Sequence, residues 1–369
     1  MSQVFPAHWD VLPFSLAVKD ATSEYSKLQK SEYLEQGRFP IVDQGQQKFG
    51  GYTDDESVVS LDGCPAIVFG DHTRIFKFID EPFCLGADGA KVLEPKAELD
   101  KKFLFYYLSS LNIESAGYSR HFKFLKENVV PVPPLPEQKR IAAILDKADA
   151  IRRKRQQAIQ LADDFLRAVF LDMFGDVIEG AENVVRFSDV AVLDAPMVDP
   201  RVDEYIDLIH IGPDRIEKKI GKLLPALTAR EEGLISKKFL FDDRYVLYSK
   251  IRPYLRKCAM AEGVGLCSAD MYPVRPVEGV ATKEFLWMLL LSDVFTAYTE
   301  SLPARANIPK LNREELEAFT LSLPDYSRQL KFSSIVRATN IAGQRVVESA
   351  AYVDGAFESL SQKAFSGQL

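Results

Sequence analysis

The sequence lacks the long apolar segment that a membrane-spanning helix requires. No apolar run approaches the roughly 18 residues needed to cross a bilayer, and the N-terminal residues lack the charged-then-apolar order of a signal peptide. A cytoplasmic protein with no membrane partner is therefore expected. The cysteines, Cys64, Cys84, Cys258 and Cys267, form no close CxxC pair, and the four histidines form no ligand cluster. This pattern predicts reduced, buried thiols and no metal site.

Catalytic motifs are missing as well. The chain has no GxxxxGK[ST] phosphate loop, no dinucleotide-binding glycine turn between a strand and a helix, and no Asn-Pro-Pro-aromatic element like that of adenine methyltransferases. Asp214, Glu217 and Lys219 superficially resemble a metal-nuclease motif, but these acids lie too close together for the usual strand-separated arrangement. No catalytic residue can be nominated, and the chain is expected not to be an enzyme.

The chain has fewer positively charged than negatively charged side chains. The 46 lysines and arginines face 53 aspartates and glutamates, which gives a net charge of −7. A protein that neutralises DNA phosphates by itself normally has a basic domain. A role on nucleic acid would therefore require basic residues concentrated on a few surfaces, or partner subunits that share the contact. The 369 residues, 47% of them hydrophobic, otherwise suit a folded protein of two or more domains.

What the sequence does contain is a long helical segment near its centre. The proline-rich stretch 131–136 cannot propagate a helix, because proline lacks an amide donor and favours extended geometry in its predecessor. No glycine or proline then occurs over 137–174, and apolar or small residues recur every three or four positions. This pattern predicts a helix of roughly 38 residues, about 57 Å long, with a heptad seam.

The second half of the chain repeats the first. An offset of 191 residues aligns Gln138 with Gln329 and continues without a gap to Phe174 and Phe365. Upstream, residues 122–126 align with 308–312 after a further shift of five residues. A repeat of this size indicates two similar globular regions, each followed by a long helix. The second helix is expected over 329–365.

The two helices are expected to pair, because an exposed apolar stripe needs a partner. The second seam is poorer, and Gly343 weakens that helix by roughly 1 kcal/mol relative to alanine, so pairing is expected to stabilise it. The residues assigned to helix pairing are Ile141, Ile144, Ala148, Ile151, Phe165, Val169, Phe332, Ile335, Val346, Val353 and Leu360.

The two globular regions combine strand and helix patterns. Alternating β-branched and aromatic residues predict strands at 39–45, 65–70, 74–79, 205–212 and 245–248. An amphipathic helix over 100–111, with Phe103, Tyr107 and Leu111 on its core face, corresponds to a second apolar helix around 285–291. The fold class expected from these patterns is α+β.

Four segments of the chain resemble the DNA-specificity subunits of Type I restriction-modification systems. They are PLPEQKRIAAILD at 134–146, SLSQKAFSGQL at 359–369, GYSRHFK at 117–123 and YSKIRPYLRK at 248–257. Together with the duplicated layout, the resemblance covers nearly the whole chain. It is weaker where PDYSRQ at 324–329 replaces the fuller proline-rich motif.

The resemblance implies an α+β fold with a pseudo-twofold internal repeat. Two similar globular target-recognition domains would be separated by two long helices that form an antiparallel coiled coil. The implied segments are target-recognition domain 1 at 1–130, a conserved region with the first long helix at 131–175, target-recognition domain 2 at 176–323, and a C-terminal conserved region with the second long helix at 324–369.

The same resemblance implies a non-catalytic subunit that gives a larger complex its DNA sequence specificity. Each target-recognition domain would read one half of a bipartite site, while the paired helices set the spacing and dock the methyltransferases. The implied partners are double-stranded DNA, two methyltransferase (M) subunits and restriction (R) subunits. S-adenosylmethionine is expected in the methyltransferase, ATP and Mg²⁺ in the motor-nuclease, and no cofactor in this chain. The alternatives are a stand-alone DNA-modifying enzyme and a coiled-coil protein scaffold.

The candidate DNA contacts are polar, basic and aromatic residues near turns. Glycine-rich turns let the backbone approach a phosphate, and arginine or lysine beside aromatic residues can meet phosphates and base edges. Given the resemblance, the candidates are Lys91, Arg120, His121, Lys123 and Lys126 in the first region and Ser249, Lys250, Arg252, Tyr254, Arg256, Lys257, Arg305 and Lys310 in the second. From the residues alone, solvated turns and strand ends remain the alternative.

Overall fold

The computed structural model describes residues 5–87, 89–96, 98–114, 117, 119–178, 180, 182–303 and 308–369. The chain divides into two compact units. Unit 1 consists of Met1–Gln156 and Glu348–Leu369, and unit 2 consists of Gln157–Val347. Each unit thus contains one globular region and one segment of each long helix. The division of the chain at 130, 175 and 323 remains a prediction.

The globular region of unit 1 is built on two four-stranded sheets. Its strands are β1 (Asp10–Pro13), β2 (Val18–Asp20), β3 (Lys27–Leu28), β4 (Phe39–Val42), β5 (Gly51–Thr53), β6 (Ala66–Gly70), β7 (Phe76–Ile79), β8 (Cys84–Gly86), β9 (Ala90–Pro95) and β10 (Val129–Val132). The sheet orders are β2-β9-β6-β7 and β3-β8-β4-β5, and β1 pairs with β10. The helices are α1 (Phe14–Ala17), α2 (Lys101–Ser110) and α3 (Phe122–Leu125). The first long helix, α4 (Leu135–Ile178), follows.

The globular region of unit 2 is built in the same way. Its strands are β11 (Val184–Arg186), β12 (Ala191–Val192), β13 (Met197–Val198), β14 (His210–Ile211), β15 (Lys238–Phe241), β16 (Val246–Ser249), β17 (Cys258–Met260), β18 (Gly265–Cys267), β19 (Met271–Pro276) and β20 (Thr320–Ser322). Its helices are α5 (Phe187–Val190), α6 (Lys283–Leu291), α7 (Asp293–Ser301) and α8 (Arg313–Ala318), and the second long helix is α9 (Tyr326–Phe365). Short 3₁₀ turns lie at Thr22–Glu24, Lys30–Glu32, Glu56–Val58, Pro213–Arg215 and Pro253–Leu255.

Strand order confirms the predicted α+β internal repeat. The antiparallel sheet β12-β19-β16-β17 of unit 2 has the order of β2-β9-β6-β7 in unit 1, and the pair β11–β20 corresponds to β1–β10. The second sheets also share a parallel pair, β3–β8 and β14–β18. They differ in two places. Strand β4 runs parallel to β8 whereas β15 runs antiparallel to β18, and the outer strand β5 follows β4 in the chain whereas the outer strand β13 precedes β14. The repeat is therefore exact in one sheet and altered in the other.

Helix α2 forms where the sequence predicted it and covers the main sheet of unit 1. The Asp100 side chain accepts a hydrogen bond from the Phe103 amide at 3.0 Å, which satisfies one of the free amides of the first turn. Phe103 and Tyr107 are fully buried in a core that also contains Ile67 of β6. The predicted core face is thus confirmed, although Leu111 is only partly buried.

The long helices run antiparallel in unit 1. The Arg140 guanidinium donates to the Leu369 carbonyl at 2.6 Å, and the Arg152 guanidinium lies 4.9 Å from the centroid of the Phe357 ring. Earlier residues of α4 therefore meet later residues of the C-terminal segment. Near these contacts, Phe365 packs edge-on against the aromatic rings of α2.

The long helices also run antiparallel in unit 2. The Arg328 guanidinium stacks on the Phe174 ring, with 5.8 Å to its centroid, and Phe332 packs against both Phe170 and Phe174 at 5.5 Å. Moving forward along α9 thus moves backward along α4. The same cluster includes Phe285 of α6, so the helix pair and the globular region share one core.

The prediction of helix pairing is wrong for two residues. Ile151 is 49% exposed and Phe165 is 51% exposed. The buried positions of α4 in unit 2 are Leu166, Phe170 and Phe174. Their spacing of four residues follows the 3.6-residue period of a helix that packs on a local core. A strict heptad drifts away from that period along a long helix.

The other predicted pairing residues differ in burial. Ile141 and Phe332 are buried, whereas Val169, Ile335 and Leu360 pack at the edges of their unit's core. Ile144 and Ala148 are partly buried. The side chains of Val346 and Val353 lie outside the described residues.

All four cysteines are free; three are buried and Cys64 is partly exposed. Within the described part of the chain, no helix is both long enough and apolar enough to span a membrane. The same described residues contain no group of three or more His, Cys, Asp or Glu side chains that could hold a metal ion.

Candidate nucleic-acid interface

Loops from four parts of unit 1 meet beside the end of β6. The Asp71 amide donates to the Gly89 carbonyl at 2.6 Å, and the His121 amide donates to the Asp71 carbonyl at 2.9 Å. The Thr73 hydroxyl donates to the Gln44 carbonyl at 2.6 Å. We define the first loop cluster as residues 43–50, 71–75, 89 and 119–121. Its backbone bonds bring together segments that are far apart in sequence.

Unit 2 builds an equivalent cluster at the end of β16. The Lys250 amide donates to the Asp270 carbonyl at 3.1 Å, and the Leu311 amide donates to the Lys250 carbonyl at 2.9 Å. The Arg252 amide also donates to the Pro309 carbonyl at 2.8 Å. We define the second loop cluster as residues 213–222, 250–257, 268–270 and 308–311. Both clusters thus form around the residue that follows the same strand of the repeated sheet.

This equivalence overturns the upstream part of the sequence alignment. Leu311 takes the place of His121, so the extra shift of five residues is wrong. The buried Leu125 of α3 and Leu316 of α8 are separated by 191 residues, which is the offset of the long helices. The two segments had aligned because both mix apolar residues with lysine, a likeness that carries little information about position.

Lysines gather around two aromatic rings in unit 1. The ammonium groups of Lys91 and Lys126 lie 5.3 Å and 4.7 Å from the centroid of the Phe122 ring, and that of Lys123 lies 4.7 Å from the Phe124 centroid. Cations attract the negative face of an aromatic ring, so the rings help to hold these lysines in place. Lys123 and Lys126 are exposed, which leaves both available to an anionic partner.

The charge of Lys91 is compensated within unit 1. Its ammonium lies 3.2 Å from a carboxylate oxygen of Asp20. Burial acts to raise the pKa of the Asp20 carboxyl, but hydrogen bonds from Thr22 and Lys91 outweigh it and lower that pKa below its usual value. The carboxylate therefore stays charged and offsets Lys91, which is the least available of the three lysines.

His121 does not reach the surface, so its prediction as a DNA contact is wrong. Its side chain is 1% exposed, and its Nδ1 lies 2.9 Å from the carbonyl oxygen of Asp71. The buried ring thus packs under the first loop cluster and helps to hold it in place. Arg120 is exposed beside it, and it forms no ion pair with a described residue.

The prediction of Ser249 as a DNA contact is also wrong. Ser249 is 1% exposed at the end of β16, which lies between β17 and β19 in the sheet. Its hydroxyl donates to the Ile251 carbonyl at 3.2 Å. Arg256 and Lys257 are partly buried and hold the loop in place. The Arg256 guanidinium lies 2.5 Å from the Asp293 carboxylate, and the Lys257 ammonium donates to the Pro213 carbonyl at 2.5 Å.

Four predicted residues of the second loop cluster remain accessible. Arg252 is exposed, Tyr254 is 44% exposed and Lys250 is partly buried. Lys310 is exposed, but its ammonium lies 3.2 Å from a carboxylate oxygen of Asp270, which offsets part of its charge. Burial lowers the pKa of Lys250, and the nearby Lys310 ammonium adds to this effect. Tyr254 and Lys310 border a cavity of about 260 Å³. Arg305 lies outside the described residues.

Sequence reasoning missed the β6–β7 loop, 71–75, which occupies the place of the predicted segment 250–257. Arg74 in this loop has a positive φ of 63°, and its guanidinium donates to the Ile113 carbonyl at 2.8 Å. The loop carries fewer basic residues than its counterpart and so gave no compositional signal. Matching the ends of β6 and β16 in the repeat would have found it.

Comparison with known proteins agrees with this architecture. Residues 21–161 match the family model of the Type I restriction modification DNA specificity domain. The chain is 31% identical over 189 residues to the Type I restriction enzyme EcoDI specificity subunit of Escherichia coli, a match that covers 50% of this chain and 41% of that protein. It is 36% identical over 89 residues to the putative type I restriction enzyme MjaX specificity subunit of Methanocaldococcus jannaschii, covering 21% of each. Both matches span less than half of the relative.

A solved structure resembles this chain over nearly its whole length. The crystal structure of the S subunit of a Type I restriction-modification system from M. genitalium has a TM-score of 0.58 and 15% sequence identity, and the likeness covers 97% of this chain and 96% of that one. At this level of identity, the likeness shows a shared fold.

Proposed function

We propose that this chain is the DNA specificity subunit of a Type I restriction-modification system, because residues 21–161 match the family model of the Type I restriction modification DNA specificity domain. It reads DNA and carries out no chemistry of its own. The observation that carries the proposal is the pair of equivalent loop clusters, one in each unit. The first lies beside lysines of α3 that stack on aromatic rings, and the second presents basic residues next to Tyr254, a combination that suits phosphates and base edges.

The two clusters read different half-sites, because their accessible residues differ. The first offers Arg120 and lies beside Lys123 and Lys126 of the neighbouring helix α3, whereas the second offers Arg252 and Lys310. Lysines suit phosphates as point charges, and an arginine can bridge the two acceptors of guanine in the major groove. The chain thus recognises a bipartite, asymmetric site in double-stranded DNA. The long helices set the distance between the half-sites, which we expect to be close to one DNA turn, about 34–36 Å.

Partner subunits supply the catalysis and some of the contacts with DNA. Two methyltransferase (M) subunits bind S-adenosylmethionine and flip the target adenine out of the duplex. Restriction (R) subunits use ATP and Mg²⁺ to cleave unmodified DNA. The net charge of −7 is compatible with binding of DNA by such a shared complex.

The exposed apolar face of α4 is the docking surface that we propose for a methyltransferase subunit. Leu161 is 59% exposed and Phe165 is 51% exposed, and the two lie one helical turn apart on the same side of α4. Neighbouring large apolar side chains that remain in water mark interaction surfaces.

The decisive experiment removes two lysines that form no ion pair with any described residue. In the complex with methyltransferase subunits, the pair Lys123→Gln and Lys126→Gln is compared with Lys139→Gln and Lys147→Gln, two exposed lysines of α4. If the first pair contacts two phosphates, the slope of log affinity against log salt decreases in magnitude by about 1.8, while the control pair leaves it unchanged.

Two results would contradict the proposal. Equal slopes for both lysine pairs would remove α3, the helix beside the first loop cluster, from the DNA interface. Methylation or cleavage of DNA by the purified chain alone, with Mg²⁺ and S-adenosylmethionine supplied, would instead identify a stand-alone enzyme. The methylated adenines of the host, sequenced with and without this gene, give the half-sites needed for the binding duplex.

A further inference from the structure

A buried glutamine occupies the fourth position of each long helix. Gln138 of α4 and Gln329 of α9 are both 0% exposed, although glutamine is usually a surface residue. A buried amide side chain must find hydrogen-bond partners, because an unpaired polar group in the interior is costly. The partners of these two glutamines show what the residues do.

In unit 1, the Gln138 side chain joins three segments. Its Oε1 accepts a hydrogen bond from the Asp100 amide at 2.7 Å. Its Nε2 donates to the Glu98 carbonyl at 2.9 Å and to the Pro133 carbonyl at 2.7 Å. One side chain therefore links the start of α4 to the proline-rich segment before it. The same side chain also holds Glu98 and Asp100, the N-cap residue of α2.

In unit 2, Gln329 makes the same three bonds. Its Oε1 accepts from the Thr282 amide at 3.0 Å, and its Nε2 donates to the carbonyls of Val280 at 3.1 Å and Pro324 at 2.9 Å. Thr282 is the N-cap residue of α6, as Asp100 is of α2. We name this arrangement the glutamine clamp.

The clamp connects each long helix to the sheet that carries a loop cluster. Helices α2 and α6 lie on the repeated sheets, and their caps are the residues that the glutamines hold. Strands β6 and β16 of those sheets end at the loop clusters. A change in the angle between a long helix and its α2 or α6 helix would therefore shift the loop cluster by an amount that grows with distance from the clamp.

We propose that Gln138 and Gln329 are positioning residues, each of which fixes one loop cluster on its own long helix and so determines the fidelity with which that unit reads its half-site. This inference rests on the proposed function. Neither glutamine touches DNA. Loss of one clamp loosens one unit only, because all the partners of Gln138 lie in unit 1 and all those of Gln329 lie in unit 2.

The test replaces one glutamine at a time in the complex with methyltransferase subunits. Methionine has a similar length and no amide group, so Gln138→Met and Gln329→Met remove the hydrogen bonds while filling most of the space. Gln156→Met, at an exposed position of α4, is the matched control. Methylation is measured on duplexes with single base changes in either half-site.

Gln138→Met should reduce discrimination against wrong bases at least about tenfold in one half-site and leave the other unchanged. Gln329→Met should do the same in the opposite half-site, and Gln156→Met should change neither. A general loss of stability lowers methylation of all duplexes alike, so it does not produce this crossed pattern. Equal loss in both half-sites, or unchanged discrimination in both variants, would overturn the inference.

Two further measurements keep the inference open to refutation if a methionine variant does not fold. Gln138→Asn and Gln329→Asn keep the amide on a side chain that is too short to hold all three partners, and the same crossed pattern is expected. In the wild-type complex, the amide hydrogens of Asp100 and Thr282 should exchange slowly with solvent, and rapid exchange of either would refute its clamp. If the wild-type complex shows no base discrimination at all, the proposed function fails instead of the clamp.

Discussion

Replacing Phe170 with alanine should strongly destabilise unit 2, because this side chain joins the helix pair to the globular core. Phe170 is 2% exposed, and its ring lies 5.3 Å from Phe174, 5.8 Å from Phe285 and 5.5 Å from Phe332, centroid to centroid. A buried phenylalanine replaced with alanine costs about 3–5 kcal/mol of unfolding free energy, most of it from lost burial and the cavity that remains.

The matched control is Phe165→Ala on the same helix. Phe165 is the residue that the heptad pattern assigned to the helix seam, and it is half exposed. Its replacement should cost about 1 kcal/mol or less, as expected for a side chain outside the packed core. In a unit of this size each kcal/mol changes Tm by about 2–4 °C. The expected decreases in Tm are therefore about 6–20 °C for Phe170→Ala and at most about 4 °C for the control.

Each unit contains one tryptophan, which allows the two to be followed separately. Trp9 lies in the core of unit 1 and Trp287 in the core of unit 2. With Trp9→Phe as the background of every variant, thermal unfolding monitored by the fluorescence of Trp287 reports on unit 2. If Phe165→Ala lowers Tm as much as Phe170→Ala does, the described helix packing is wrong and the heptad assignment is right.

Two further predictions concern the surface of unit 2. Leu161→Glu combined with Phe165→Glu should abolish stable association with the methyltransferase subunit, measured by gel filtration, while the chain stays folded; a retained complex would exclude this face as the docking surface. Hydrogen bonding from Arg275 lowers the pKa of Asp194 below its usual 3.8, so the pair stabilises the fold fully above pH 3.8 and loses this contribution as pH falls through the lowered value. In Arg275→Gln that pKa should return towards 3.8 in an NMR titration, and an unchanged titration would show that the pair is not formed.

The existence of the long helices could be predicted from the sequence, whereas their buried faces could not. The helices begin two and three residues earlier than predicted, at Leu135 and Tyr326. Pro136 is tolerated there because the amide of a first-turn residue has no partner within the helix. The heptad rule assumes one seam shared along two helices. Each half of α4 packs instead into the core of its own unit, and burial depends on residues such as Phe285 that are distant in sequence.

The candidate site was predictable in composition but not in accessibility. The segment 250–257 has the density of basic and aromatic residues that marks a nucleic-acid contact, and part of it is exposed. Arg256, however, is engaged by Asp293, which belongs to another helix. His121 is likewise turned inward by a backbone bond to Asp71, 50 residues away. Such partners become visible only once the chain has folded, so sequence patterns overestimate the number of free cations.

Every partner of the two clamp glutamines is a main-chain group, and this has a consequence for how the protein can diverge. The residues that they hold differ between the two units. They are Asp100 and Glu98 in unit 1 and Thr282 and Val280 in unit 2, yet the hydrogen bonds are the same. Mutation alters side chains and leaves peptide groups in place. Either half can therefore accumulate substitutions, and under the proposed function acquire a new target, while its attachment to the long helix stays unchanged.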